Sequence, residues 1–329
     1  KEDYPELHVI AAGSLLEFVL KDLSSFGVGR VSSLFVYPMS FDEFLTATGQ
    51  EGLLRTKRNS SPTNPLPEAF YNRLVEAFRS YMLVGGMPEA VATYTETGSY
   101  RYSSDIVNEI IQGYQDDFAK YGAKANPLLL RQTLISVAHQ AGAKFVYSRV
   151  EGQYRSAEVK VALEMLKDAG LIIPTYHTDA NGVPLGAEIN ERVVKYLIHD
   201  TGVLLGILGI DDDIDDSIKE MMVADSINLV DKGHVAEMMA GLELIKYSSP
   251  QKRHQLYYWQ NMNKGTCAEV DYVIARSGSI VPIEVKSGVK GSMSSMYSLM
   301  RNPQKHIEMG IRCSLENFGT FESPDGKKI

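Results

Sequence analysis

The chain is poor in the residues that staple a fold or ligate a transition metal. Its 329 residues include two cysteines, Cys267 and Cys313, seven histidines and one tryptophan. Two cysteines allow at most one bridge, and they read as free thiols of a reducing cytoplasm. No CxxC pair and no His/Cys cluster occurs, which argues against a structural zinc site. No apolar run reaches membrane-spanning length, and no secretory leader is read in the sequence, which opens on Lys1 rather than Met. A GxxxxGK[ST] phosphate loop is also missing. Positive charge is in deficit: 33 Lys and Arg stand against 41 Asp and Glu, for a net charge of −8. Any nucleic-acid site therefore has to be a local basic patch on an acidic body.

What is present is ordinary globular composition, 44% hydrophobic and 22% charged, in a chain long enough for two or three cores. Two strands are expected near the start, at "HVIAAGS" (8–14) and Val31–Val36. A helix follows, capped by Ser40 with Glu43 in the capping-box position. A polar, Pro-rich loop (56–67) leads into helical text. Phe70, Leu74, Ala77, Phe78 and Tyr81 make a one-sided stripe there, and two more helices extend to about residue 122. Residues 127–177 then read helix, turn, helix, strand, the order of a winged helix, with Val159, Ala162, Leu163 and Leu166 on one helix face and Gly170 as the stop. Asn181-Gly182 signals a hairpin turn. A strand and a short helix follow, then an acidic loop at 211–216, a helix over 232–249, three alternating strands, and a last helix around 294–309.

The chemistry concentrates in "DYVIARSGSIVPIEVKSG" (271–288). Residues two apart in a strand share a face, so Glu284 and Lys286 project together while Ile283 and Val285 face the core. Asp271 opens the preceding strand, and Glu237 lies on the helix before it. Paired carboxylates can hold a hard cation such as Mg2+, with Asp271 and Glu284 as its ligands. A neighbouring ammonium can orient water and stabilise charge growing on a phosphate. A solvated ion-pair cluster is the competing reading. Tyr257-Tyr258-Trp259 can stack bases, but core packing is the expected use, with Tyr257 and Trp259 on one face.

Asp271, Glu284-Val285-Lys286 and the upstream Glu237 resemble the PD-(D/E)XK nuclease signature, most closely in "EVD" and "PIEVKSG". That resemblance implies Mg2+-dependent phosphodiester cleavage with Glu237, Asp271, Glu284 and Lys286 as the catalytic set; some members of that superfamily are non-catalytic. "HVIAAGSLLEF", "VYPMSFDEFL" and "YMLVGGMPEAV", together with the C-terminal block, are similar to a prokaryotic AAA-type ATPase family that carries a C-terminal domain of unknown function, number 4143. In that family a nucleotide-sensing role falls to the positions of Ser14 and Arg30. With no phosphate loop, the chain looks like a fragment without the Walker A/B part. ATP binding is then expected of a parent protein, and no ATP hydrolysis of this chain.

The expected architecture is mixed α/β and multidomain. It consists of a remnant of the ATPase core (1–50), a helical region (51–125), a winged-helix-like unit (126–200) and a nuclease-like domain (201–329). Arg149, Arg155 and Lys160, around the second helix of the winged unit, are the expected contacts to DNA. A protein partner docking on the same unit is equally open. The whole supports two readings: a Mg2+-dependent nuclease, or a non-catalytic DNA- or protein-binding module on a vestigial nuclease fold.

Overall fold

A computed structural model describes residue 4 and residues 6–13, 31–119, 126–209, 232–261, 268–288 and 291–329. Ser14, Arg30, Cys267 and the acidic loop lie outside the described residues. The helices in the first half are α1 (Phe41–Ala47), α2 (Glu51–Arg58), α3 (Glu68–Val84), α4 (Pro88–Thr97) and α5 (Tyr100–Phe118). Ser40 caps α1 as its sequence predicts: its hydroxyl accepts the Glu43 N–H, and the Glu43 carboxylate accepts the Ser40 N–H at 2.7 Å. On α3, Ala77 and Tyr81 are buried, and Leu74 and Phe78 pack against the core beside them.

Next come α6 (Pro127–His139), α7 (Ser156–Asp168), β1 (Ile172–Thr178), β2 (Ile189–Ile198) and α8 (Thr201–Ile207). The last part comprises α9 (Lys232–Lys246), β3 (Leu256–Gln260), β4 (Glu269–Val270), β5 (Tyr272–Arg276), β6 (Ser279–Val285), α10 (Ser294–Arg301) and β7 (Ile311–Cys313). One sheet has the order β2-β1-β3-β4, the other β5-β6-β7. The described residues thus form a mixed α/β structure with two mixed sheets. β1 pairs antiparallel with β2 and parallel with β3, so the hairpin before α8 and the strand after α9 share one sheet. β6 pairs parallel with β7 across the α10 connection.

Three local expectations are corrected. Residues 8–13 and 31–36 form no strand. Ile10 is 97% exposed and Val36 91% exposed, and Phe35 makes one backbone bond, to the Pro250 carbonyl, rather than a ladder. Apolar character makes a strand only where a partner strand satisfies the backbone. The last helix ends at Arg301, well short of 309, because Asn302 turns extended and Pro303 begins a short 3-10 turn. The hairpin at Asn181-Gly182 exists but is not tight: β1 and β2 close at Thr178↔Ile189, and Glu188 accepts from both the backbone and the side-chain amide of Asn181.

The main core runs without interruption from α1 and α3 through α7 and β2 to α9, Tyr272 and Ile283. A smaller core of Trp259, Val270, Val273, Ile280, Met296 and Leu299 lies under α10. Among the described residues no helix is long and apolar enough to cross a membrane.

Candidate metal centre

Helix α9 is pressed onto both sheets. A Cβ at Gly241 would stand 2.3 Å from the Tyr272 hydroxyl and 2.8 Å from Leu197, so only glycine allows this approach. Tyr272 donates its hydroxyl to the Glu237 carbonyl at 2.8 Å and so fixes the turn of α9 that bears Glu237. Asp271 sits at the junction of β4 and β5, where the chain leaves one sheet for the other. Its Oδ2 accepts the Val285 N–H at 2.7 Å, tying it to the strand that bears Glu284. On that strand Glu284 and Lys286 do share a face, and the ammonium lies 2.6 Å from Glu284 Oε1.

Glu237, Glu269 and Asp271 each offer a carboxylate oxygen within 4.8 Å of the others. Glu284 stands beside this group, its Oε1 taken by Lys286. Its Oε2 is buried with no hydrogen-bond partner, a costly arrangement for a residue only 6% exposed. An oxygen-only donor set of this spread suits a hard divalent cation, Mg2+ or Mn2+. Glu237, Glu269 and Asp271 would hold it, with Glu284 Oε2 as the further oxygen available nearby.

The electrostatics follow from burying several carboxylates together. Burial pushes the Glu237 carboxyl up to about 7; Lys195 opposes the rise and Asp271 adds to it. Burial likewise raises Glu284 to about 7, against the Lys286 hydrogen bond and with Asp271 adding to it. Asp271 is also raised by burial, although the Val285 N–H and Lys195 resist. A divalent cation would reverse all three shifts by favouring the charged forms.

Two members of the cluster were not assigned a role from sequence. Glu269 stands in the quoted "EVD", two residues before Asp271, and period-two spacing carries the signal. Lys195 had no local signal. It reaches in from β2, is 1% exposed, and donates to Glu237 Oε1 at 2.8 Å and to Glu269 Oε1 at 2.5 Å. Its ammonium also lies 4.9 Å from the centroid of the Tyr258 ring. Burial disfavours the ammonium, but Glu237 and Glu269 outweigh it and hold its pKa above the usual lysine value. Tyr258 and Trp259 are buried, and Trp259 is a member of the smaller core.

The three expected DNA contacts are all exposed. Arg149 lies on a 3-10 turn, at the rim of a cavity of about 320 Å3 also lined by Gln132, Ser136, His139 and Glu151. Arg155 is the N-cap of α7, and Lys160 lies on its second turn. Glu158 and Glu164 share the exposed side of α7 with Lys160.

Residues 75–214 match a family described as a domain of unknown function (DUF8612), and residues 232–323 match another (DUF4143). The second match lies inside the segment 201–329 and contains Glu237, Glu269, Asp271, Glu284 and Lys286. The first contains Lys195. No curated protein and no solved structure matches the chain.

Proposed function

We propose that the C-terminal part of this chain is a divalent-cation-dependent phosphodiesterase acting on nucleic acid, of the PD-(D/E)XK kind. The observation that carries the reading is the buried, unpartnered Oε2 of Glu284 beside three carboxylates on helix α9, strand β4 and the β4/β5 junction. The order α9, β3, β4/β5, β6, α10, β7, with β6 and β7 parallel, supports the same reading.

A cation held by these carboxylates supplies charge for a phosphoryl oxygen and a more acidic water. The chain's own groups do the rest. Asp271 fixes the position of β6 through the Val285 N–H. Glu284 keeps Lys286 in place, and the Lys286 ammonium is the donor available to a non-bridging phosphate oxygen or to the attacking water. Water adds to phosphorus, the P–O bond to the leaving sugar breaks, and the departing oxygen takes a proton. Access is from the side of Glu269 and Lys286, whose side chains are 32% and 19% exposed; Lys195, 1% exposed, closes the other side. ATP hydrolysis is not assigned to this chain, which has no phosphate loop.

The alternative, a non-catalytic module on a vestigial nuclease fold, has one observation in its favour: Lys195 already neutralises part of the cluster. Incubating the purified chain with labelled single- and double-stranded DNA and RNA, in Mg2+, Mn2+ or EDTA, separates the two. Cation-dependent cleavage that disappears with Lys286→Ala supports the nuclease. No cleavage by the intact chain across the panel supports the module.

A further inference from the structure

Lys195 is the unexplained charge in this centre. It comes from β2, within the 75–214 family segment, while every carboxylate it meets belongs to the 232–323 segment. Its ammonium donates to Glu237 and Glu269 and lies 4.9 Å from the Tyr258 ring centroid, so the head group is held in place. The position is built into the sheet: Lys195 pairs with Thr175 on β1, and β1 pairs with β3, which carries Tyr258. Glu237 and Glu269 are two of the three carboxylates whose oxygens lie within 4.8 Å. The ammonium therefore sits on the very groups that a divalent cation would use.

Charge counting gives the consequence. Glu237, Glu269, Asp271 and Glu284 carry four negative charges when ionised, and Lys195 and Lys286 return two. An ammonium a few ångströms from a bound cation repels it, and low-dielectric surroundings enlarge that repulsion.

Resting on the cation-site reading above, we propose that Lys195 is the resident counter-ion of the centre and competes with the divalent cation for Glu237 and Glu269. The upstream segment thereby sets the metal affinity of the downstream one. Without metal, Lys195 holds the carboxylates together; on cation binding, its contacts to Glu237 and Glu269 weaken. This role differs from that of Lys286, which pairs with Glu284 at the open side.

The test is calorimetric titration of Mn2+ alone into the full chain, wild type and Lys195→Met, with thermal unfolding measured with and without Mn2+. The expected result is tighter binding in the variant by about tenfold or more. The metal-free variant should be less stable than wild type, and Mn2+ should raise its Tm by more than it raises that of wild type. If Lys195→Met does not fold, Lys195→Gln keeps a hydrogen-bond donor without the charge and is held to the same result. Binding by the variant alone also supports the competition. Binding by the wild type with equal or weaker binding by the folded variant overturns it and leaves the cation site standing. No binding by either protein overturns the cation site itself, and the competition with it.

Discussion

Helix α9 carries two buried polar clusters about 9–13 Å apart along its axis, one around Glu237 and one around Glu243 and Lys246. At the second, Lys246 donates to the Met39 carbonyl at 3.0 Å and to the Tyr81 oxygen at 2.6 Å. Glu243 accepts from Tyr81 at 2.8 Å and from the Phe41 N–H at 3.1 Å. Nearby, Asp200 accepts the Gly86 N–H at 2.6 Å and the Val203 N–H at 3.2 Å. A Cβ on Gly86 would meet the Met39 carbonyl oxygen at 2.3 Å, which is why the chain is glycine there. Glu243, Asp200 and Lys246 are each partnered there, by the Tyr81 hydroxyl and by backbone groups, as a structural network requires. At the Glu237 end four carboxylates meet two ammoniums, and a buried oxygen is left over. Both ends are buried, yet among the described residues only the Glu237 end leaves a buried carboxylate oxygen without a partner. That unpartnered oxygen, rather than burial itself, is what supports reading the Glu237 end as a ligand site.

The sharpest way to break this comparison is to remove a charge from each end. Asp271→Ala and Lys286→Ala should each lower cation-dependent cleavage about 100- to 1000-fold, in line with the loss of one preorganised electrostatic group. Circular dichroism should remain unchanged. At the other end Asp200→Ala should cost about 2–4 kcal/mol, because it strips a helix cap and strands two buried N–H groups. Urea denaturation measures it, and a loss below about 0.5 kcal/mol, the size of an ordinary surface change, would contradict the anchoring role.

The pH dependence sharpens the contrast further. Glu284 is raised to about 7 in the folded chain, so the folded state binds the proton more tightly than the unfolded one. Its contribution to stability is fully present below its unfolded pKa of about 4.3 and is lost as pH rises through about 7. In metal-free buffer, Glu284→Gln should therefore gain on wild type by on the order of 2 kcal/mol between pH 5 and pH 8. Equal slopes in the two proteins would refute the burial argument. The smallest effect expected is on nucleic-acid binding by Arg149, Arg155 and Lys160. All three are exposed, and an exposed side chain makes at most one phosphate contact, so each alanine variant should weaken binding only slightly and change its salt dependence by about one counterion or less.

Much of the local structure was legible because its causes are local. The Ser40–Glu43 capping box, the Val159, Ala162, Leu163 and Leu166 face and the Glu284/Lys286 pair all rest on spacings of four residues or fewer. Lys195 was not legible, because the parallel β1–β3 pairing that places it joins residues about 80 positions apart in the chain. Val31–Val36 failed for the converse reason: the apolar text is there, but no ladder forms on it. Glu269 lay between these cases. Its spacing from Asp271 was visible, and its role emerged only when α9 brought Glu237 alongside.

The central claim is that the carboxylates around Glu237 form a divalent-cation site. Calorimetric titration of Mn2+ into the metal-free full chain, wild type beside Asp271→Asn, tests it most directly. The account predicts saturable binding by the wild type and its loss in the variant, with metal-free Tm little changed. An absence of binding heat in the wild type and in Lys195→Met alike, with no rise in Tm of either on adding Mn2+, would contradict it.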